Sequence, residues 1–158
     1  MTIIPHQGVG PILFGMTRDE VTRAIGRRPD HRHKRTELDV SESDFYDLFV
    51  VSFDGSGVCY AVEFHVGAGR LIYDGYDLFG HPASETRDWA RSKDPNLEED
   101  EGFVSKALGL SMYAPLIDVP DLDEDDRTAP GQGFMVFRPG YYEEEEEHLK
   151  DRSFSTDN

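Results

Sequence analysis

The spacing of apolar residues along the chain changes between a helical and a strand period. From Arg18 to about Ile25 the apolar positions share one face at helical spacing. Thr17 before this segment is a typical helix N-cap, and Gly26 after it is typical of a left-handed helix stop. The β-prone runs that follow predict strands, separated by glycine-containing turns, at Phe45 to Phe53, Val58 to Val66 and Arg70 to Tyr73.

The second part of the chain gives the same order of elements. A helix is predicted from about Pro82 to Ser92, with Trp89 on its buried side. The runs after it predict a hairpin and one last strand, at Gly102 to Ser105, Leu108 to Ala114 and Gly133 to Arg138. The pattern therefore predicts an α+β fold, with an antiparallel sheet and short helices packed on one face.

Two segments of the chain are similar to each other. LFGMTRDEVTRAI begins at Leu13 and LFGHPASETRDWA begins at Leu78. This similarity predicts two pseudo-repeated halves, about 8–73 and 74–142, within a single domain of residues 1–142. The alternative is two unrelated strand-to-helix turns. Because short hairpins are marginal alone, we expect each half to depend on the other for stability.

The net charge of the chain favours some classes of binding partner over others. The 158 residues include 32 acids against 16 Lys and Arg, a formal net charge of −16. Such a field repels nucleic acid and anionic lipid and attracts basic proteins. Many acids fall into three clusters, and the last of them, Glu143 to Glu147, predicts an acidic flexible tail over residues 143–158. The clusters either solubilise the chain or face a basic partner.

Several features indicate a cytoplasmic protein. Cys59 is the single cysteine, so no intrachain disulfide is possible, and we interpret it as a packing residue. The first residues lack the basic region and apolar run of a secretory signal, and no apolar stretch is long enough to span a bilayer. No motif indicates a cofactor or a catalytic residue. A monomer or homodimer is expected.

The basic segment Arg27 to Arg35 stands out in an acidic chain. It is interpreted as an exposed loop, as a segment that docks on an acidic patch of this chain or of another copy, or as a phosphate contact. His31 and His33 alternate as on a strand and could ligate a metal with a distant carboxylate. Because no third ligand is evident, no metal site is predicted.

The segment FGMTRDEV, within Ile12 to Gly26, resembles the opening of each repeat in β-lactamase inhibitor protein. It also resembles a turn in the small lipoprotein of the outer-membrane β-barrel assembly machinery. The segment from Leu78 to Ala90 shows a weaker form of the same similarity. The resemblance implies a scaffold that docks other proteins on a concave sheet, as small bacterial inhibitor and immunity proteins do. It implies no active site. The chain lacks the paired cysteines and lipoprotein signal of those relatives, which favours a cytoplasmic immunity protein.

These observations give one leading hypothesis and two alternatives. The leading hypothesis is an immunity or inhibitor protein that neutralises a basic bacterial toxin or effector, with no catalytic residues. The parts predicted to touch the partner are the sheet face, the loop from Glu98 to Phe103 and the acidic, aromatic C-terminal stretch. The predicted partner-binding residues combine acids with aromatic side chains: Glu98, Glu99, Asp100, Glu101, Phe103, Tyr113, Tyr141 and Tyr142. The alternatives are an adaptor subunit and a small enzyme or ligand-binding domain with a pocket between the halves, formed by Tyr60, Glu63 and His65.

Overall fold

The structure is a computed structural model that describes residues 1–34, 36 and 41–155. An eight-stranded antiparallel sheet dominates it, in the order β10-β11-β12-β13-β7-β6-β5-β4. These strands are β4 (His31–His33), β5 (Glu42–Tyr46), β6 (Phe49–Phe53), β7 (Cys59–His65), β10 (Glu98–Asp100), β11 (Gly102–Ser105), β12 (Leu110–Tyr113) and β13 (Gly133–Phe137). The prediction of an α+β fold with an antiparallel sheet is confirmed.

Short strands, a 3₁₀ helix at Leu78–Gly80 and four α-helices complete the described chain. A small three-stranded sheet and a two-residue hairpin lie outside the main sheet, as β1 (Ile3–Ile4), β2 (Gly8–Val9), β3 (Ile12–Leu13), β8 (Ile72–Tyr73) and β9 (Tyr76–Asp77). The helices are α1 (Arg18–Ile25), α2 (Ala83–Lys93), α3 (Glu124–Thr128) and α4 (Tyr141–Ser155). None of these described helices has the length and apolar character needed to cross a bilayer.

The sheet consists of two four-strand meanders, β4 to β7 and β10 to β13. In each meander the first strand, β4 or β10, lies at an edge of the sheet, and the last strand, β7 or β13, lies at its centre. One helix precedes each four-strand meander: α1 precedes β4 to β7, and α2 precedes β10 to β13. The final strands β7 and β13 pair in the centre, with Phe64 opposite Phe134 and Val62 opposite Val136. This central pairing is the seam between the two meanders. An internal repeat remains a prediction.

The main core lies between the sheet and helices α1 and α2, on what we call the helix face. Alternate strand residues such as Val62, Phe64 and Phe134 are buried there beside Val21 of α1 and Ala90 of α2. The intervening residues point to the opposite side, the open face, where Ala61 and Phe137 pack with Tyr141 and Tyr142. Helix α4 therefore lies on the open face, whereas the sequence predicted helices on one face only.

The start of α1 follows the sequence signals. The Thr17 hydroxyl oxygen accepts a hydrogen bond from the Glu20 amide at 3.3 Å, and the hydroxyl donates to the Glu20 carboxylate at 3.1 Å. Gly26 ends the helix at φ 82°. Both ends are therefore set by the residues that the sequence identifies.

Three predicted elements differ in the structure. The run from Phe45 to Phe53 is two strands joined at Asp47 and Leu48, because a two-residue loop suffices for a hairpin. The predicted loop from Glu98 is also wrong, because residues 98–100 pair with β11 as an edge strand. The predicted strand from Arg70 is limited to β8, outside the main sheet.

Residues 143–155, predicted as a flexible tail, continue helix α4. Its first turns are held against the sheet by aromatic packing and ion pairs. Residues 156–158 of the predicted tail lie outside the described residues. The domain boundary at residue 142 remains a prediction.

Candidate functional site

The acidic edge of the sheet is formed by β10 and the turn after it. Glu98 lies opposite Val104 and Asp100 lies opposite Gly102, so both carboxylates project to the open face. Glu101 is exposed in the turn. No Lys or Arg in the described part of the chain forms an ion pair with these three acids. Their charge is therefore available to a partner.

Gly102 makes this edge possible. Its φ is 125°, and a Cβ atom built on it would lie 1.9 Å from the carbonyl oxygen of Met112. Any side chain at this position would therefore collide with the backbone of β12. In the register of the sheet, Gly102 lies between Asp100 of β10 and Tyr113 of β12.

Glu99 points the opposite way, toward the helix face. It pairs with Arg91, and its carboxylate also lies 3.5 Å from Arg87. Arg87 in turn makes two hydrogen bonds to Asp118, at 3.0 and 2.9 Å, which lower the pKa of that carboxyl. Because Glu99 is engaged by cations of α2, we leave it out of the candidate surface.

The two aromatic residues predicted near this edge have opposite environments. Phe103 is 2% exposed in the main core, so its side chain stabilises the fold and is unavailable to a partner in this conformation. Tyr113 is 52% exposed. A groove of about 330 Å³ runs beside it and is lined by Glu98, Asp100, Glu101, Val104, Ser111 and Tyr113, with Phe103 and Met112 beneath. Tyr113 is thus the exposed aromatic residue of this edge.

Tyr141 and Tyr142 attach α4 to the open face. The Tyr141 ring lies 4.9 Å from Tyr60 and 5.6 Å from Phe137, and the Tyr142 ring meets Phe137 edge-on at 5.1 Å. Burial raises the pKa of both tyrosines above the usual range. Both rings are therefore half-buried within the protein, and what they offer a partner is limited to their outer edges.

Polar contacts add to this attachment. Arg138 binds Glu144 at 2.8 Å and Asp54 at 2.6 Å, and so connects α4 to the turn between β6 and β7. The Tyr60 hydroxyl donates to Glu145 at 3.1 Å. Burial raises the pKa of Tyr60 to about 12, so this hydroxyl stays protonated as a donor at neutral pH. Glu146 and Glu147 of α4 are exposed, and Tyr142 on the same helix lies close to Ser111 and Glu98 of the acidic edge.

The residues of the predicted pocket have different environments. Glu63 and His65 are exposed on the open face. Tyr60 is 1% exposed beneath α4, because a register shift at Ser52 and Phe53 turns it away from Val62. Strict alternation along the predicted strand from Val58 to Val66 would place Tyr60 on the same face as Val62 and Phe64, and this expectation is wrong.

The basic segment contributes the opposite edge strand, β4. Arg32 lies 3.3 Å from Asp44, a fully buried carboxylate that also pairs with Arg18 of α1 at 3.2 Å. Desolvation raises the pKa of Asp44, although both arginines oppose the shift. Part of the segment thus docks on an acid of this chain, as one of the sequence interpretations proposed. Arg35 lies outside the described residues.

Two further features concern reactive groups. Burial raises the pKa of the Cys59 thiol to about 12, so a thiolate is strongly disfavoured at neutral pH. In the described ranges, no group of three or more His, Cys, Asp or Glu side chains is placed to hold a metal ion. No protein-family model, curated protein or solved structure matches the chain.

Proposed function

We propose that this chain is a cytoplasmic immunity or inhibitor protein that binds a basic bacterial toxin or effector through the open face. The observation that carries the proposal is the arrangement of Glu98, Asp100 and Glu101 around the exposed ring of Tyr113, with no ion pair from these acids to a Lys or Arg among the described residues. An exposed aromatic residue bordered by charge is typical of a binding hot spot. The outer glutamates of α4 extend the same negative surface.

The charge of the whole chain supports the same partner. At −16, the field accelerates the approach of a basic protein and repels nucleic acid and anionic membranes. At physiological salt it acts over about 8 Å, so the local carboxylates of the open face set the docking position. The protein acts as a monomer or homodimer and requires no cofactor for this role.

The test is direct binding to the basic protein encoded beside this gene. We expect the two proteins to copurify, the toxin activity to be lost in the complex, and affinity to fall steeply as salt rises. Changing Glu98, Asp100 and Glu101 to Gln, Asn and Gln removes three charges from the open face, and we expect the association rate to fall at least about tenfold.

A matched variant distinguishes the effect of the charges on the open face from the effect of the total charge of the chain. Changing Asp123, Glu124 and Asp125 to their amides removes the same number of charges from the region of α3, away from the open face. We expect this control to bind almost as the native protein does. Equal weakening by both triple variants, or binding that ignores salt, would contradict a docking site on the open face.

A further inference from the structure

The groove beside Tyr113, which we call the slot, lies on the open face of β10, β11 and β12. Asp100, Gly102 and Tyr113 lie side by side on three neighbouring strands. Since neighbouring strands are about 4.8 Å apart, the backbones of Asp100 and Tyr113 are separated by about 9.6 Å, with no side chain between them at Gly102. The cavity of about 330 Å³ is lined by both Asp100 and Tyr113.

The walls of this slot differ in chemistry. One side carries the carboxylates of Glu98, Asp100 and Glu101, and the other carries the Tyr113 ring, 52% exposed. The Ser111 side chain, a hydroxyl, also lines the slot. Acids alone would form an ordinary solvated edge. The exposed Tyr113 ring adds a surface on which a flat cation can stack.

We infer that the slot binds an arginine side chain of the basic partner. A guanidinium is planar, stacks on an aromatic face and donates hydrogen bonds to carboxylates at its edges, so it can use both walls together. A lysine ammonium offers a point charge without a stacking plane. This inference rests on the proposed function, because it names the anchor that the partner places on the open face.

The test uses three capped tripeptides, Gly-Arg-Gly, Gly-Lys-Gly and Gly-citrulline-Gly, titrated into the isotope-labelled full chain by NMR. Citrulline keeps the planar shape of arginine without its charge. We expect the arginine peptide to shift the amide signals of Gly102 and Tyr113 and to bind more tightly than the lysine peptide. The citrulline peptide is expected to produce little change.

Single substitutions locate the peptide. Tyr113→Leu removes the stacking surface and is expected to weaken arginine binding roughly three- to thirtyfold. Asp100→Asn is expected to weaken it severalfold. Asp125→Asn in α3 removes the same charge elsewhere and is expected to leave binding unchanged. Native-like amide spectra of each variant establish that the fold is intact.

Each outcome decides between the slot and the wider proposal. Shifts spread evenly over the acidic segments, or equal binding of the lysine or citrulline peptide, would overturn the arginine slot. If the neighbouring basic protein still bound with strong salt dependence, the proposed function would survive that loss. If the arginine peptide bound at Gly102 and Tyr113 but the basic protein did not bind, the slot would stand and the toxin-inhibitor role would fall.

Discussion

Truncation of Phe134 tests how the two meanders of the sheet depend on each other. Phe134 is 1% exposed in β13, lies opposite Phe64 across the central seam, and meets the Phe79 ring edge-on at 4.9 Å. Changing it to Ala removes a whole buried ring, which costs about 3–5 kcal/mol in well-packed cores. A domain of this size has a free energy of unfolding of about 5–15 kcal/mol, so the substitution is expected to remove roughly a fifth or more of the stability.

The assay is urea unfolding followed by two signals. Fluorescence of Trp89 reports on the packing around α2, and far-ultraviolet circular dichroism reports on the whole sheet. We expect Phe134→Ala to lower the midpoint with an unchanged slope, and both signals to report one transition, because the seam joins the meanders. Phe45→Ala, at a position 38% exposed on β5, away from the seam, serves as a control and is expected to cost under about 1 kcal/mol. Two separate transitions, or a loss as small as that of the control, would refute this reasoning.

Three more substitutions probe the edge, the turn and the helix on the open face. Gly102→Ala places a Cβ atom 1.9 Å from the Met112 carbonyl oxygen. In thermal unfolding we expect this variant to lose the edge strand or to lose over about 2 kcal/mol of stability. The control Gly140→Ala, at φ 89° with no atom within 4 Å of the new Cβ, is expected to cost only about 1–2 kcal/mol. Burial alone would raise the pKa of Asp54, but hydrogen bonds from Ser56, Val58 and Arg138 lower it. The contribution of Asp54 to stability is therefore complete above its unfolded pKa of about 3.9 and is lost as pH falls through the lower folded pKa. Asp54→Ala is expected to cost about 1–3 kcal/mol at pH 7, with a difference from the native protein that shrinks at acid pH in denaturant titrations; a difference that grew toward acid would contradict the assignment. Tyr141→Ala removes ring contacts to Tyr60 and Phe137. We expect amide hydrogen exchange to become faster by about tenfold or more throughout α4 and to stay unchanged in β7 and β13. Equal exchange rates in α4 of the native protein and the variant would show that the ring does not hold the helix.

The elements that the sequence predicted well are those with local signals. Helix α1 begins after Thr17 and ends at Gly26, and both ends are encoded by side chains within one turn. The hairpin turn at residues 54–57 and the last strand from Gly133 are marked by turn residues and by alternation of apolar positions. No tertiary information is needed for any of these.

The elements that were missed depend on contacts distant in sequence. The acids of residues 98–100 have low strand propensity, and they form a strand because β11 supplies its backbone groups. A register shift at Ser52 and Phe53 brings Tyr60 to the open face, where it meets Tyr141, 81 residues away (141 minus 60). Periodicity alone cannot reveal this shift, because one extra residue reverses which side chains face the core.

Only some residues of the candidate site were predicted correctly, because the face on which a side chain lies depends on strand pairing. Glu98, Asp100, Glu101 and Tyr113 were identified from composition, and the strand register brings them to one edge of the open face. Composition did not distinguish Glu99 and Phe103, which alternate to the helix face. The groove itself depends on the strand order, which places β10 and β12 on either side of β11 and cannot be read from the sequence.

The most direct test of the proposal is hydrogen exchange by mass spectrometry on the complex with the basic protein encoded beside this gene. We expect slowed exchange in residues 98–104 and 110–113 and at the start of α4, with little change in α1 or in the helix-face turns. Slowed exchange confined to α1 and the basic strand β4, with the acidic edge unchanged, would contradict docking on the open face.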